Sequence, residues 1–303
     1  MKHFLYAFCL SAIAWADGHG PAFGFGTAVL GAGDSSVETA FMWRSGVTMA
    51  GPVVSYGVSG DVQISVSAPL HLDHGEHPVG RFTGMMPGNP ETEVLGAWRF
   101  NHRLTGVGTR FESTLYLGTS VSTQLPPRTD GPPLRRAPGF YVAAATGHIS
   151  RRYYVWAGAG YEGYVSLDGL DHQGRSLLGS FVLGWRPPLW DMDYPKPDLR
   201  FFWESTGEWN GYAFRAAPPP PGSGHSHDVQ TAVLSPQPLT AGNQPNSGGK
   251  GVFSGPTLLL TYRSIAFQSG VLFAAWRHPN GTQPADRLRA VAGLTYFFFR
   301  GRK

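Results

Sequence analysis

Asp-Val-Gln-Ile-Ser-Val-Ser-Ala-Pro-Leu, residues 61–70, is the most regular stretch of this 303-residue sequence. Its apolar residues fall at every second position with polar residues between them, which is the period of a β-strand. Such a strand suits a soluble sandwich. It equally suits a membrane barrel, with lipid on one side and a polar lumen on the other. The choice depends on how often the pattern recurs and on how the connections alternate.

The first sixteen residues have the features of a secretory signal peptide, residues 1–16. Lys2 supplies a positive charge, residues 4–13 form a short apolar run, and Ala-Trp-Ala at 14–16 is a small-x-small cleavage site. The run is too short to span a bilayer as a helix. We therefore expect the mature chain to start at Asp17 and to leave the cytoplasm.

Composition excludes several classes of function. The single cysteine, Cys9, lies in the signal peptide, so the mature chain has no disulfide or thiolate chemistry. There are 41 glycines, aromatic residues make up 13% and charged residues only 15%, which is a β profile. The net charge of +4 is spread along the chain and does not indicate a nucleic-acid partner.

The alternating pattern recurs in about twelve segments between residue 36 and the C-terminus. An even number of strands is the rule for bacterial single-chain barrels. The sequence therefore predicts an all-β fold, an antiparallel transmembrane β-barrel of about twelve strands of the outer-membrane type. The barrel is expected to occupy residues 34–303 as one domain, preceded by a Gly-rich lead-in at 17–33.

The connections between the predicted strands alternate in length. Short turns lie at 59–60, 102–107, 150–152 and 263–265. Long connections alternate with them and include 71–91, 121–138 and 207–255. Short periplasmic turns and long outer loops are typical of outer-membrane barrels, and a soluble sandwich has no reason to follow this parity. The connections at 45–47 and 187–198 depart from this alternation of lengths. The longest connection, 207–255, is expected to form a lid or constriction.

Charged residues of the strands share the face opposite the apolar one. They are Glu38, Glu93, Arg99, Arg110, Glu112, Glu162, Arg186, Arg200, Glu204, Arg263 and Arg289. An Arg or Lys that faces lipid near the midplane costs roughly 2–4 kcal/mol, so we expect this set to line the lumen. There the charges either pair and fill the barrel or form a polar, mixed-charge channel lining.

Residues 56–70, a turn into an alternating strand closed by Pro-Leu, resemble the early hairpin of the meta-pathway phenol-degradation outer-membrane family. This resemblance implies a barrel that serves as a channel for small, often hydrophobic compounds. The last strand resembles the assembly signal of outer-membrane barrels, in which a Gly is followed by alternating aromatics. Gly293, Tyr296 and Phe298 occupy those positions, while Val291 and the tail at 300–303 depart from the pattern.

These observations predict a channel or uptake pore of the bacterial outer membrane for small solutes, hydrophobic or aromatic compounds among them. Its partners would be membrane lipid, a small-molecule solute and the outer-membrane assembly machinery, which would recognise the C-terminal strand. No catalytic residue and no cofactor are expected, so the protein would not be an enzyme.

Two loop clusters of histidine and carboxylate support an alternative, a barrel that binds or captures metal. The candidate ligands are His71, Asp73, His74, His77, His225 and His227. Imidazole and carboxylate together suit Zn, Cu or Ni, although the spacing matches no defined site.

A second alternative is a lipid-active enzyme. His148 and Ser150 resemble the His-x-Ser pair of the outer-membrane phospholipase family, but Arg151 and Arg152 follow where that family has Asn-Gly. An acyl-transfer site also requires a third, orienting group, and the sequence does not indicate one.

Overall fold

The computed structural model describes residues 20–44, 47–68, 70–72, 91–122, 137–165, 174–189, 196–212, 214–215, 242–243, 248–281 and 287–300. Fifteen β-elements lie in these residues. They are β1 (Ser35–Arg44), β2 (Val47–Gly57), β3 (Val62–Ser67), β4 (Leu70–His71), β5 (Glu91–Gly106), β6 (Thr109–Ser122), β7 (Gly139–Ile149), β8 (Tyr153–Tyr164), β9 (Ser176–Trp185), β10 (Asp198–Asn210), β11 (Phe214–Arg215), β12 (Gly242–Asn243), β13 (Gly249–Tyr262), β14 (Ile265–Pro279) and β15 (Leu288–Phe298). No helix in this described part is long and apolar enough to span a membrane.

The strands form a closed ring. β1 pairs with β2 on one side and with β15 on the other, so the sheet has no open ends. β3 and β4 both pair with β2 and together make one strand of the wall, which gives twelve antiparallel wall strands. β11 and β12 form a separate hairpin. The predicted antiparallel barrel of twelve strands is thus confirmed.

Burial alternates along the wall with the period of a strand. In β7 every second residue from Gly139 to Ile149 is buried, and the residues between them are partly or fully exposed. The exposed positions carry large apolar side chains, such as Phe181, Leu183 and Trp185 in β9. An apolar outer face with a different inner face is what a barrel wall in lipid requires, so this outer surface is the lipid contact.

The two ends of the barrel differ in their connections. At one end, short links at 58–61, 107–108, 150–152 and 263–264 join consecutive strands, together with a longer link at 186–197. We call this the turn end. The opposite end, where β4 leads to β5, β6 to β7, β8 to β9 and β14 to β15, is the loop end.

The prediction of an irregular region at 207–255 is wrong at both limits of the region. β10 continues to Asn210 and β13 begins at Gly249, and these extensions pair with each other. Glycines and a proline fill inward and outward positions of β13 here, so the hydrophobic alternation on which the sequence prediction relied is weak. Most of the residues between 211 and 248 lie outside the described part of the chain.

Arg263 is not on the inward face, contrary to the sequence prediction. It lies in the turn between β13 and β14 with φ of 54°, is exposed, and has its guanidinium carbon 5.3 Å from the centre of the Tyr262 ring. A link this short requires a left-handed backbone conformation, and the turn therefore takes Arg263 off the strand.

Phe181 tests the lipid-facing assignment. It is outward-facing and the sixth of the ten residues of β9. Phe181→Arg is expected to lower the free energy of unfolding by roughly 2–4 kcal/mol, because lipid does not solvate a guanidinium. Urea unfolding in lipid vesicles, followed by tryptophan fluorescence, measures this difference.

The matched control is Val107→Arg, in the 107–108 turn, where Val107 is 85% exposed. This change is expected to have little effect on the free energy of unfolding. Equal losses in the two variants would contradict the assignment of the β9 face to lipid.

Candidate functional site

The N-terminal segment lies inside the barrel. Residues 20–34 form no strand, yet Phe23, Phe25 and Leu30 are at most 4% exposed. Their contacts are with inward-facing residues from strands on several sides of the wall. We call residues 20–34 the plug. The described part of the predicted lead-in at 17–33 is therefore an occupant of the lumen.

The plug contributes to three apolar clusters within the barrel. The first contains Ala22 and Phe23 with Ala40, Met42, Met49, Phe253, Leu272 and Val291. The second contains Leu30 with Ile149, Tyr154, Trp156, Val182, Phe202, Leu259, Ala266 and Phe297. The third contains Phe25 and Val29 with Ala97, Tyr116, Tyr141, Ala143, Ala145 and Leu178. The interior is thus less polar than the sequence predicts, because much of it is a packed core.

Glu204 holds the start of the plug. Its carboxylate accepts the backbone N–H groups of Ala22 at 2.7 Å and of Phe23 and Gly24 at 2.8 Å each. The hydroxyl of Thr257, on the neighbouring strand β13, donates a fourth hydrogen bond. Glu204 is fully buried, and its carboxyl group is a strong anchor because without it each of the buried backbone donors would be left unsatisfied.

Other polar wall groups form hydrogen bonds with the plug at Gly20, Phe25 and Leu30. Phe25 N–H donates to Ser180 Oγ at 2.9 Å, and Leu30 N–H donates to Gln63 Oε1 at 2.8 Å. Gln268 Nε2 donates to the carbonyl of Gly20 at 3.2 Å. These contacts come from β9, β3 and β14, so the plug is fixed from several sides of the barrel.

Thr27, in the middle of the plug, makes three hydrogen bonds with the wall. Its hydroxyl donates to Glu112 Oε2 at 3.1 Å, and its carbonyl accepts from Thr114 Oγ1 at 2.7 Å. The indole N–H of Trp156 donates to the same threonine hydroxyl at 3.2 Å. Because Thr27 is completely buried, these bonds satisfy polar atoms that water does not reach.

Two glycines of the wall allow the plug to approach. A Cβ atom on Gly158 would lie 2.7 Å from the Cβ of Phe25, and one on Gly57 would lie 2.0 Å from the carbonyl oxygen of Gly31. Real Cβ atoms do not come this close to other atoms, so only glycine fits at either place. Gly57 and Gly158 thus form recesses that match the plug.

The charged residues predicted to line the lumen, apart from Arg263, occupy inward positions. Buried members are Glu112, Glu162, Arg200, Glu204 and Arg289; half-buried members are Glu38, Glu93, Arg99, Arg110 and Arg186. A role of these residues in solute passage stays a prediction.

Toward the turn end the charges form compact ion pairs. Glu112 lies 3.2 Å from Arg99 Nη1 and 2.9 Å from Arg110 Nε, and Arg99 also lies 2.9 Å from Asp61. A second group, formed by Arg186 directly after β9 and by two residues of β10, is arranged in the same way. Asp198 pairs there with Arg186 at 2.7 Å and with Arg200. Glu112 and Asp198 therefore have two guanidinium partners each.

Toward the loop end, Glu208 on β10 pairs with Arg44 of β1 at 3.2 Å and with Arg289 of β15. Glu208 is not among the residues predicted from the sequence to line the lumen, because it falls within the predicted irregular region at 207–255. The signal that indicates it is the alternation beyond Glu204, in which the outward Trp203 and Trp209 frame the inward Thr206 and Glu208.

The metal hypothesis is not tested by the structure. His71 belongs to β4, where it pairs with Met49, while Asp73, His74, His77, His225 and His227 lie outside the described residues. Within the part of the chain that is described, no group of three or more His, Cys, Asp or Glu side chains is placed to hold a metal ion. Metal capture by these loops stays a prediction.

The two residues of the enzyme hypothesis have different surroundings. His148 is an exposed, outward-facing residue of β7. Ser150 lies in the turn between β7 and β8, where its hydroxyl donates to the carbonyl of Tyr153 and accepts the N–H of Tyr153, each at 2.9 Å. The Ser150 hydroxyl thus shapes the turn, and neither residue faces the lumen.

These features define an outer-membrane β-barrel of twelve strands whose lumen holds its own N-terminal segment. An outer membrane channel from Pseudomonas putida F1 is similar in structure, with a TM-score of 0.53 and 12% identity over 92% of this chain and 99% of that chain. At this identity the likeness shows the fold alone.

Two further solved barrels align with most of the chain. The KdgM porin aligns with a TM-score of 0.42 and 8% identity over 87% of this chain and 99% of its own. LpxR from Salmonella typhimurium aligns with a TM-score of 0.41 and 10% identity over 87% of this chain and 100% of its own. Both scores are too low to support an argument. No family model and no curated protein matches the sequence.

Glu204→Ala tests whether this carboxylate holds the plug. In this variant three plug N–H groups lose their acceptor. Each buried donor left unsatisfied destabilises the closed position of the plug by about 1–3 kcal/mol. A single Cys placed at Ala22, which is 3% exposed, would then react with a water-soluble maleimide at least about tenfold faster than it does when Glu204 is present.

A chain expressed from Asp17 onward contains no other cysteine, so the label reports on this position alone. Ser205→Ala, on the opposite face of the same strand, is the control and is expected to leave the rate unchanged. Similar labelling rates with and without the Glu204→Ala substitution would show that the carboxylate is not the anchor.

Proposed function

We propose that this protein is an outer-membrane channel for small solutes and that the plug controls passage through it. The observation that carries the proposal is the plug itself. It occupies the lumen, and the contacts described for residues 20–30 are side-chain hydrogen bonds and apolar packing rather than strand pairing. Contacts of this kind can break without opening the barrel wall.

The interior offers two different sides to a solute. The three apolar clusters draw most of their wall residues from β7–β10 and from β13–β15. Toward the turn end, the inner face of β1–β3 instead carries small polar side chains, including Ser36, Ser55, Ser65 and Ser67, whereas toward the loop end Met42 and Met49 belong to the first apolar cluster. In the described conformation these serines are buried, so passage requires movement. This polar part of β1–β3, next to the plug, is the proposed path at the turn end of the lumen.

The proposed orientation of the barrel in the membrane rests on the lengths of the connections between its strands. Short turns of outer-membrane barrels face the periplasm, so the turn end is proposed to be periplasmic and the loop end external. In β15, Tyr296 and Phe298 are exposed on the outer face and Gly293 is inward. This arrangement supports recognition of the last strand by the assembly machinery. The solute class suggested by residues 56–70, hydrophobic or aromatic compounds, stays a prediction.

A reversible tether gives the sharpest test of the plug. A Cβ atom on Gly24 would lie 3.4 Å from the Cβ of Ser180, which is close to the Cβ separation in a disulfide. We expect Gly24→Cys with Ser180→Cys to form a disulfide that fixes the plug to β9. Val182→Ala is included because the new Cβ would also lie 2.6 Å from Val182 Cγ2.

Single-channel current in a planar bilayer is recorded for the oxidised and the reduced protein. The oxidised form is expected to show at least severalfold less current than the reduced form, and reduction restores it. Val182→Ala alone, with and without reductant, is the control. Equal currents from the oxidised and reduced forms would contradict control by the plug, and no current from either reduced or wild-type protein would contradict the channel function.

A further inference from the structure

One face of β10 carries a row of oxygen acceptors. Glu204, Thr206, Glu208 and Asn210 alternate with outward residues, so all four point into the barrel. A strand advances about 3.3 Å per residue, which places neighbouring members of the row roughly 7 Å apart. The row runs from the middle of the barrel toward the loop end. We call Thr206, Glu208 and Asn210 the acceptor row.

The plug satisfies Glu204, at the inner end of this face, but not the residues beyond it. Glu204 accepts three backbone N–H groups and a hydroxyl. Within the described residues, Thr206 Oγ1, Glu208 Oε2 and Asn210 Oδ1 are buried and have no hydrogen-bond partner. Buried acceptors without partners are rare because each one loses hydration without compensation. Glu204 receives its donors from a segment that lies in the lumen. By the same reasoning, Thr206, Glu208 and Asn210 require a hydrogen-bond donor that enters the lumen.

Glu208 is held in a fixed position for such a donor. Its Oε1 atom accepts from both Arg44 and Arg289, which leaves Oε2 directed elsewhere. The Glu208 side chain is only 8% exposed, so the group is part of the interior rather than the rim. A carboxylate paired with two guanidinium groups accepts a hydrogen bond from a hydroxyl or ammonium donor more strongly than a neutral oxygen does.

The acceptor row is connected to the plug. The guanidinium carbon of Arg289 lies 3.5 Å from the centre of the Phe253 ring, and Phe253 belongs to the apolar cluster that contains Phe23. The oxygens are buried while the plug is in place. A donor that binds them only after the plug moves would favour the open state, because a ligand shifts an equilibrium by its difference in affinity for the two states.

We propose that Thr206, Glu208 and Asn210 form the solute-binding site of the channel, and that its ligand is a solute with several hydroxyl donors, such as a sugar or a polyol. The inference rests on the proposed channel function and specifies its substrate class. An aromatic or aliphatic solute without O–H or N–H groups would leave all three oxygens unsatisfied. The acceptor row thus favours a polar solute, unlike the hydrophobic solutes that the resemblance of residues 56–70 implies.

Blockade of the ion current tests this site. Sorbitol and triethylene glycol dimethyl ether have similar masses, but the ether has no hydroxyl group. In a planar bilayer, sorbitol is expected to reduce the salt current of the wild-type channel at a concentration at least tenfold lower than the ether. Recording the Glu204→Ala variant in parallel gives the same comparison with the plug loosened.

Thr206→Val together with Asn210→Leu removes two acceptors at nearly constant shape and retains the ion pairs of Glu208. This double variant is expected to lose the preference for sorbitol. Ser205→Ala, on the outward face of β10, is the matched control and is expected to keep it. Heat-modifiable migration on a gel confirms that each variant is a folded barrel.

Three results would overturn the proposal. If sorbitol and the ether block the wild-type channel alike, the site does not select hydroxyl donors. If the double variant keeps the tenfold preference, the selectivity lies elsewhere in the lumen. In both cases ion current still flows, so the channel function stands. If neither wild type nor Glu204→Ala carries current, the channel function fails and this site fails with it.

Discussion

Hydrocarbon does not solvate charge, and this constraint organises the whole molecule. Ten of the charged residues predicted from the sequence lie on the inner face of the wall, where each must find a partner within a narrow space. The structure meets this requirement with ion pairs near both ends and with the plug between them. Glu204 shows the result most clearly, because a fully buried carboxylate is satisfied mainly by the backbone of the chain's own N-terminal segment.

The interior therefore combines two kinds of surface, one apolar and one polar. Apolar clusters around Phe23, Phe25 and Leu30 give it the character of a protein core, while the polar groups on β1–β3 and β10 keep a hydrophilic side. A barrel filled only by apolar side chains would be closed permanently. Here the element that completes each cluster belongs to a segment without strand pairing along residues 20–30, so the packing that closes the lumen can be removed without loss of the wall.

Much of the wall was predictable from the sequence, since lipid on one side and a different interior on the other impose a strict alternation. Leu177, Phe181 and Leu183 in β9 show this pattern clearly. The loop-end half of β10 was missed because Gly207 and its neighbours weaken the alternation, and Glu208 was missed with it. The place of the plug was not predictable. Its contacts are with residues as far away as Gln268, separated by 248 positions from Gly20, and a segment that meets many strands has no period of its own.

The position of the plug before β1 also determines the order in which the molecule can be assembled. β1 forms the seam with β15 that closes the ring, and the segment directly ahead of β1 lies within that ring. The N-terminal segment must therefore enter while the seam is still open or be threaded through a finished barrel. The opposite terminus has no such restriction, since the Arg300 N–H bonds to Asp34 at the turn end and is exposed. A folded domain fused ahead of Gly20 would have to pass the open seam or the lumen together with the plug, whereas one fused after Arg300 would leave closure of the seam undisturbed.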